Sequence, residues 1–268
     1  MDTGTYGPAF YVPMGRSVAS SSLPPELKVL LNEVGNNYWQ FDAVAISRMF
    51  SPTVTPPVSD LVDVAHCLLE QEPSDWPEGG EDSLFHQPLA NFLNNFVATS
   101  HLALDLLGPP FIEREARWCT GLRFVQLVDE SCGTHDRDGL VKREAVGGIA
   151  FREADPRPGL AIAVKLDEDW PAVVAQAVRS AQVLYSACHL RTFGLIIGFR
   201  YTTLELRFLI VHRGGLTASK PLSVVEEGGK KDILRVFLSI LMWRTEEDAG
   251  IPEFLREPLL GVPNEAFY

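Results

Sequence analysis

Cysteine is sparse in this chain of 268 residues, and basic side chains are outnumbered by acidic ones. The spacing of the cysteines matches neither a disulfide framework nor a zinc site, which favours a reducing, intracellular environment. The 23 Lys and Arg residues against 35 Asp and Glu give a net charge of −12. Because non-specific nucleic-acid binding depends on Lys and Arg, this balance disfavours a general nucleic-acid-binding protein. The four cysteines are Cys67, Cys119, Cys132 and Cys188.

Long apolar runs and the usual catalytic signatures are absent as well. No apolar run approaches the roughly 20 residues of a membrane-spanning helix, so no membrane association is expected. The sequence has no GxxxxGK[ST] phosphate loop, no HExxH and no GxSxG. The segment AIAVKL, which ends at Leu166, is similar to the lysine strand of protein kinases. Since no glycine-rich loop, HRD or DFG accompanies it, we expect that the chain is not a kinase.

The remaining composition, 46% hydrophobic and 22% charged, predicts a globular protein. A Gly-, Ser- and Pro-rich arm is expected over residues 1–22, and a helix from Pro25 to Gly35. Asp60 is expected to cap a further helix that continues to about residue 72. A long helix is predicted over 83–107, with Leu84, Leu102 and Leu106 among the apolar positions that follow its period.

Short apolar runs typical of strands begin at Leu122. We predict strands over 122–128, 147–151 and 160–166, the last two joined by a hairpin. A helix follows over 169–185, then strands over 193–199 and 204–211, and a last helix over 231–243. The order αβββαββα predicts an α+β fold with a central mixed sheet flanked by helices, preceded by an α-helical N-terminal portion. RGGLTASK, which begins at Arg213, is expected to form a β-turn.

The same order of elements is that of a metal-dependent nuclease core, and Lys165 ends the expected lysine strand. In that chemistry, carboxylates at neighbouring strand ends hold Mg²⁺, and a lysine two residues after the second acid stabilises charge on the phosphate. Here the triplet is Ala163-Val164-Lys165, and the preceding strand carries Gly148 where an acid would lie. Acids that could substitute are Glu81, Glu153, Asp155, Asp167 and Glu168, with the last four expected in loops.

The stretch from about Glu81 to Phe254 resembles the region that precedes the kinase domain in fungal-type protein kinases of mushroom-forming fungi. The resemblance is carried by EDSLFHQPLANFLN, by the run VKLDEDWPAVVAQAVRSAQVLY and by HRGGLTASKPL. It implies a PD-(D/E)xK restriction-endonuclease-like core. Lys165 matches the motif lysine and Gln176 a helix glutamine of some relatives, whereas Gly148, Ala163 and Ser180 depart from the family's pattern.

These observations predict four parts: an arm (1–22), an α-helical portion (23–80), a nuclease-like α+β domain (81–254) and a C-terminal tail (255–268). The expected function is that of a catalytically degenerate binding or regulatory module with a protein partner and no cofactor. Nucleic acid is a partner that the net charge disfavours, and the oligomeric state is left open. One alternative is a divergent nuclease in which Glu81, Glu153 or Asp155 acts with Lys165, and only this alternative requires Mg²⁺. A second alternative is a small-molecule enzyme whose pocket would draw on Trp118, Trp170, His135 or His189.

Overall fold

A mixed β-sheet lies at the centre of the fold, and helices pack on both of its faces. This architecture confirms the predicted α+β class. The computed structural model describes residues 10–11, 25–35, 37–50, 58–69, 76–81, 83–107, 122–124, 149–152, 155–160, 162–187, 190–245 and 247–250.

The central sheet combines parallel and antiparallel strand pairs. Two pairs are parallel, β2 with β9 and β6 with β7, and the others are antiparallel. Its inner strands β7 and β8 carry continuous apolar runs because both of their faces are covered. In spatial order the strands are β1 (Phe10–Tyr11), β2 (Tyr38–Phe41), β9 (Gly215–Ser219), β8 (Glu205–His212), β7 (Phe193–Arg200) and β6 (Ala163–Asp167), with β10 (Leu222–Ser223) also paired to β8.

A second, antiparallel sheet contains β3 (Leu122–Arg123), β4 (Ile149–Arg152) and β5 (Asp155–Leu160). The prediction of one strand over 160–166 is therefore wrong: Leu160 ends β5, whereas Ala163 begins β6 in the central sheet. The segment between Arg152 and Gly159, predicted as a hairpin connection, contributes most of β5 instead. Its two prolines are compatible with a strand that pairs on one side only, since an edge strand can lack donors.

Six helices are described, and three of them match their predicted bounds closely. Helix α1 is Pro25–Gly35, α4 is Ser83–Leu107 and α5 is Trp170–Ala187. Helix α2 (Ala43–Phe50) follows β2 in a region whose period did not decide between helix and strand. Helix α3 is Val58–Leu68, so the prediction that Asp60 caps it is wrong because Asp60 lies within its first turn.

Helix α6 (Glu227–Leu241) begins four residues before its predicted start at Lys231 and includes Gly228 and Gly229. A Cβ atom on Gly229 would lie 2.1 Å from the carbonyl oxygen of Ser223. The glycine therefore lets the first turn of α6 contact the backbone of β10, a packing reason that local propensity does not contain.

Two apolar cores lie on opposite faces of the central sheet. Helices α2, α3, α4 and α6 pack on one face, where the Phe237 ring contacts those of Phe96, Phe124 and Phe208. Helices α1 and α5 pack on the other face. Leu84, Leu102 and Leu106 follow the apolar period of α4 but lie on its outward side, with 55%, 48% and 62% of their surface exposed. The following apolar positions are buried as predicted: Leu89, Phe92 and Phe96 on α4, Val173, Val174, Ala177 and Ala181 on α5, and Ile233, Val236, Phe237, Ile240 and Leu241 on α6.

Candidate functional site at the lysine strand

Lys165 lies on β6, the strand that precedes helix α5 in a β–α–β unit. In this parallel pair Ala163 is opposite Ile196, and Lys165 is opposite Gly198. Alternate residues of a strand share a face, so Ala163, Lys165 and Asp167 all lie on the α5 face of the sheet. The expectation that Lys165 shares a strand face with residue 163 is met, but the expectation that it ends the strand is wrong, because β6 continues to Asp167.

Gly198 allows the first turn of α5 to pack directly on β7. A Cβ atom at this position would lie 2.6 Å from Val173 Cγ1 and 3.4 Å from Trp170 Cζ3. Val173 is fully buried, so this space is already filled by the helix. Trp170 is the first residue of α5, and its ring is thereby held beside the strand row that contains Lys165.

Asp167, expected in a loop, is instead the last residue of β6. Its Oδ2 atom accepts a hydrogen bond from Gln176 Nε2 at 3.0 Å, and its Oδ1 atom accepts one from the Glu168 backbone N–H at 2.8 Å. Burial raises the pKa of the Asp167 carboxyl above its ordinary value, while hydrogen bonds from the backbone N–H groups of Asp169 and Glu168 act in the opposite direction. The carboxylate thus joins the end of β6 to α5.

The other acids predicted for the nuclease alternative lie on different elements from Lys165 or outside the described residues. Glu81 is exposed and lies two residues before α4, which packs on the opposite face of the sheet from α5. Asp155 begins β5 in the second sheet, where its backbone pairs with Arg152. Glu153 and Gly148 lie outside the described residues, as do Trp118, His135 and His189, three of the residues that the small-molecule-enzyme alternative would place in its pocket.

A metal site would require several ligands close together in addition to the lysine. Among the residues that the structure describes, no group of three His, Cys, Asp or Glu side chains is arranged to hold a metal ion. Ala163 occupies the position from which a motif carboxylate would share the α5 face with Lys165.

A cluster around Arg207 was missed by sequence reasoning. Arg207 lies opposite Gly198 on the far side from Lys165, so Lys165, Gly198 and Arg207 form one row across three strands. Its guanidinium carbon lies 4.1 Å from the centre of the Trp170 ring, and its Nη1 atom donates a hydrogen bond to Tyr38 Oη at 2.9 Å. The available signal was an arginine within the apolar run LELRFLIV, since a charged residue inside an otherwise buried strand requires a partner.

Comparisons with known proteins give no relative for this chain. No protein-family model matches it, no curated protein matches it, and no solved structure matches it. Within the described residues, none of the helices is both long enough and apolar enough to cross a membrane.

Proposed function

We propose that this chain is a catalytically degenerate PD-(D/E)xK-like domain, akin to the region preceding the kinase domain in fungal-type protein kinases, and that it acts as a binding or regulatory module. The observation that carries the proposal is the strand Ala163–Asp167. The lysine is present on the face where the nuclease chemistry would need it, while alanine replaces the acid two residues before it.

The nearest acid on the same strand face supports this proposal. The Asp167 carboxylate already accepts hydrogen bonds from Gln176 and from the Glu168 backbone, which ties it to the start of α5. Mg²⁺ is held in proteins by one or two carboxylates together with substrate phosphates. A single carboxylate committed to the helix start is a weak substitute for the two acids of the motif.

A protein is the partner class that the charge favours. The chain has a net charge of −12, and a nucleic-acid backbone would be repelled at long range by such a surface. A protein partner does not carry a uniform negative charge, so its charged groups can be complementary to those of a local surface on this chain.

The test is a cleavage assay on single- and double-stranded DNA and RNA with Mg²⁺ or Mn²⁺, using the wild-type chain and Lys165→Ala. We expect the wild type to show no cleavage above that of Lys165→Ala. Metal-dependent cleavage that Lys165→Ala abolishes would reject the proposal.

One observation favours the divergent-nuclease alternative. Asp167 shares the α5 face with Lys165, and burial raises the pKa of its carboxyl, as is common for acids in functional sites. If this alternative holds, cleavage requires Lys165 and Asp167 together with one of the predicted acids Glu81, Glu153 and Asp155. Single alanine substitutions at these positions, tested in the same cleavage assay, show which of the acids are required for cleavage.

A further inference from the structure

Helix α4 has one side in solvent and carries almost no charge. Only Asp105 among its 25 residues is an Asp, Glu, Lys or Arg, whereas the 22% of charged residues in the chain would place about five there. Its inward side packs on α3 and α6. The outward positions recur every three or four residues, as in the seam between two packed helices. This α4 stripe, exposed or partly exposed, contains Leu84, Pro88, Asn91, Asn95, Ala98, Leu102 and Leu106.

The α4 stripe has a similar order of residue types when it is read from either end. Leu84 and Leu106 each lie eleven residues, about three turns, from Asn95. Pro88 and Leu102 each lie seven residues, about two turns, from the same centre. Apolar side chains therefore occupy both ends, and the middle holds alanine and amide side chains. A surface of this kind is complementary to a second copy of itself across a two-fold axis, whereas an unrelated partner would not require the symmetry.

An antiparallel pair of α4 helices, with its two-fold axis at Asn95, would bring these ends together. Leu84 of each copy would lie opposite Leu106 of the other. Pro88 would in the same way lie opposite Leu102, so each apolar contact occurs twice. The small Ala98 near the axis is compatible with the separation of about 8 to 10 Å at which helices pack.

The charge of the chain restricts the surface on which a second copy can bind. Two copies with a net charge of −12 each repel one another, so contact requires a surface of low charge. The seven residues of the α4 stripe include no acid, and Glu81 and Asp105 flank its two ends. In the antiparallel pair these acids of the two copies would lie within about one turn of each other. Added salt screens this repulsion and should strengthen the contact, whereas it would weaken the binding of a basic partner.

The size of the α4 stripe indicates a reversible contact. A helix of 25 residues is about 37 Å long, and a strip about 10 Å wide along it covers roughly 370 Å² per copy. A standard stable interface buries about 800 Å² per partner. The dissociation constant is therefore expected to be on the order of 10 to 100 µM.

We propose that the α4 stripe is the surface through which two copies of this chain form a weak antiparallel dimer. The inference uses only α4 and does not depend on the nuclease-like assignment. A cleavage assay that rejects the proposed function would leave it unchanged, and the absence of a dimer would not affect the proposed function.

The test is sedimentation equilibrium of the full chain over about 5 to 300 µM, at low and at high salt. A reductant is present because Cys67 is exposed and could form a disulfide between copies. The variants are Leu84→Glu, Leu106→Lys and the double variant that carries both. Val29→Glu is the matched control, since Val29 is exposed on α1, which packs on the opposite face of the sheet. Circular dichroism reports whether each variant folds.

The wild type and Val29→Glu are expected to dimerise equally, and more tightly at high salt. Leu84→Glu and Leu106→Lys should each weaken the dimer at least about tenfold, because every substitution occurs twice in a two-fold contact. The double variant should dimerise more tightly at low salt than either single variant, because each new glutamate lies opposite a new lysine of the other copy. Positions 84 and 106 are about 33 Å apart within one helix, so this recovery cannot arise inside a single copy.

A wild type that stays monomeric at both salt concentrations would overturn the inference. Unchanged dimerisation of Leu84→Glu and Leu106→Lys, or equal weakening by Val29→Glu, would do the same. A double variant that dimerises no better than the single variants would reject the antiparallel pairing and with it the proposal. If Leu84→Glu does not fold, the comparison of Leu106→Lys with Val29→Glu decides.

Discussion

Replacing Gly198 by alanine tests whether α5 packs on β7 as closely as the geometry indicates. The new Cβ would lie 2.6 Å from Val173 Cγ1 and 3.1 Å from Leu209 Cδ1, and both side chains are fully buried. Val173 is β-branched and has little freedom to rotate away. Overpacking of this kind costs about 1 to 3 kcal/mol, whereas removing a glycine from the unfolded chain gains about 0.4 to 1 kcal/mol. We therefore expect Gly198→Ala to lower the free energy of unfolding by about 1 to 2 kcal/mol.

A double-mutant cycle with Val173→Ala isolates this contact. Val173→Ala removes the methyl group that the new Cβ would meet, although alone it should cost about 2 kcal/mol because it leaves a cavity. The double variant should be more stable than the sum of the single losses predicts, by about 1 kcal/mol or more, since the added and removed atoms occupy the same space.

The assay is urea denaturation followed by circular dichroism, with the slope of the transition compared among variants. Gly228→Ala is the matched control, because a Cβ there meets no atom within 4 Å and the residue lies in the first turn of α6. It should be neutral or stabilising. A Gly198→Ala variant as stable as the wild type, or an additive cycle, would refute the close approach of α5 to β7.

Three further predictions concern the sheet and its turns. Gly215→Ala should lower the free energy of unfolding by at least about 2 kcal/mol, because the residue has φ of +144° and its Cβ would lie 2.2 Å from the Asn37 carbonyl oxygen. The control Gly214→Ala should lower it much less, and equal denaturation midpoints for the two variants would contradict this. His212 Nδ1 accepts a hydrogen bond from the Gly214 N–H, and burial lowers the pKa of this imidazole below the ordinary 6.5. The stability that the neutral imidazole contributes should therefore be complete above pH 6.5 and be lost as the pH falls towards the lower folded-state pKa. A His212→Gln variant whose stability depends on pH in the same way as that of the wild type would contradict this. Burial raises the pKa of Asp167 above 3.8, so the folded state favours the protonated carboxyl and the free energy of unfolding falls as the pH rises from 3.8 through the folded-state pKa. Asp167→Asn, whose amide can donate a hydrogen bond to the turned Gln176 amide, should therefore gain stability relative to the wild type between pH 4 and pH 7. A less stable Asp167→Asn variant at pH 7 would count against this.

Local patterns predicted the helices well because their apolar periods coincide with the faces they bury. The bounds of α4 match the prediction, and the inward residues of α5 are buried as expected. The apolar period of α4 could not show that Leu102 and Leu106 lie on the outward side of the helix, since that depends on which face of the helix packs on the sheet. Strand β2 was missed because its four residues gain stability by pairing with β1 and β9, and β9 is far away in the chain.

The candidate site was only partly accessible from the sequence. The position of Lys165 on a strand face followed from alternation, but Asp167 was expected in a loop because Asp and Glu cluster there. Arg207 became a candidate only when β2, β8 and α5 were seen to bring Tyr38 and Trp170 to its guanidinium. Such contacts join residues 169 positions apart, so no local pattern contains them.

Calorimetric titration with Mn²⁺ of the wild type and of Ala163→Glu, a variant that returns the motif acid to the lysine strand, tests the central claim most directly. We predict no saturable binding by the wild type and measurable binding by Ala163→Glu, because the added carboxylate would share the α5 face with Lys165 and Asp167. Saturable binding of Mn²⁺ by the wild type, lost in Asp167→Asn or in an alanine variant of Glu81, Glu153 or Asp155, would contradict the account.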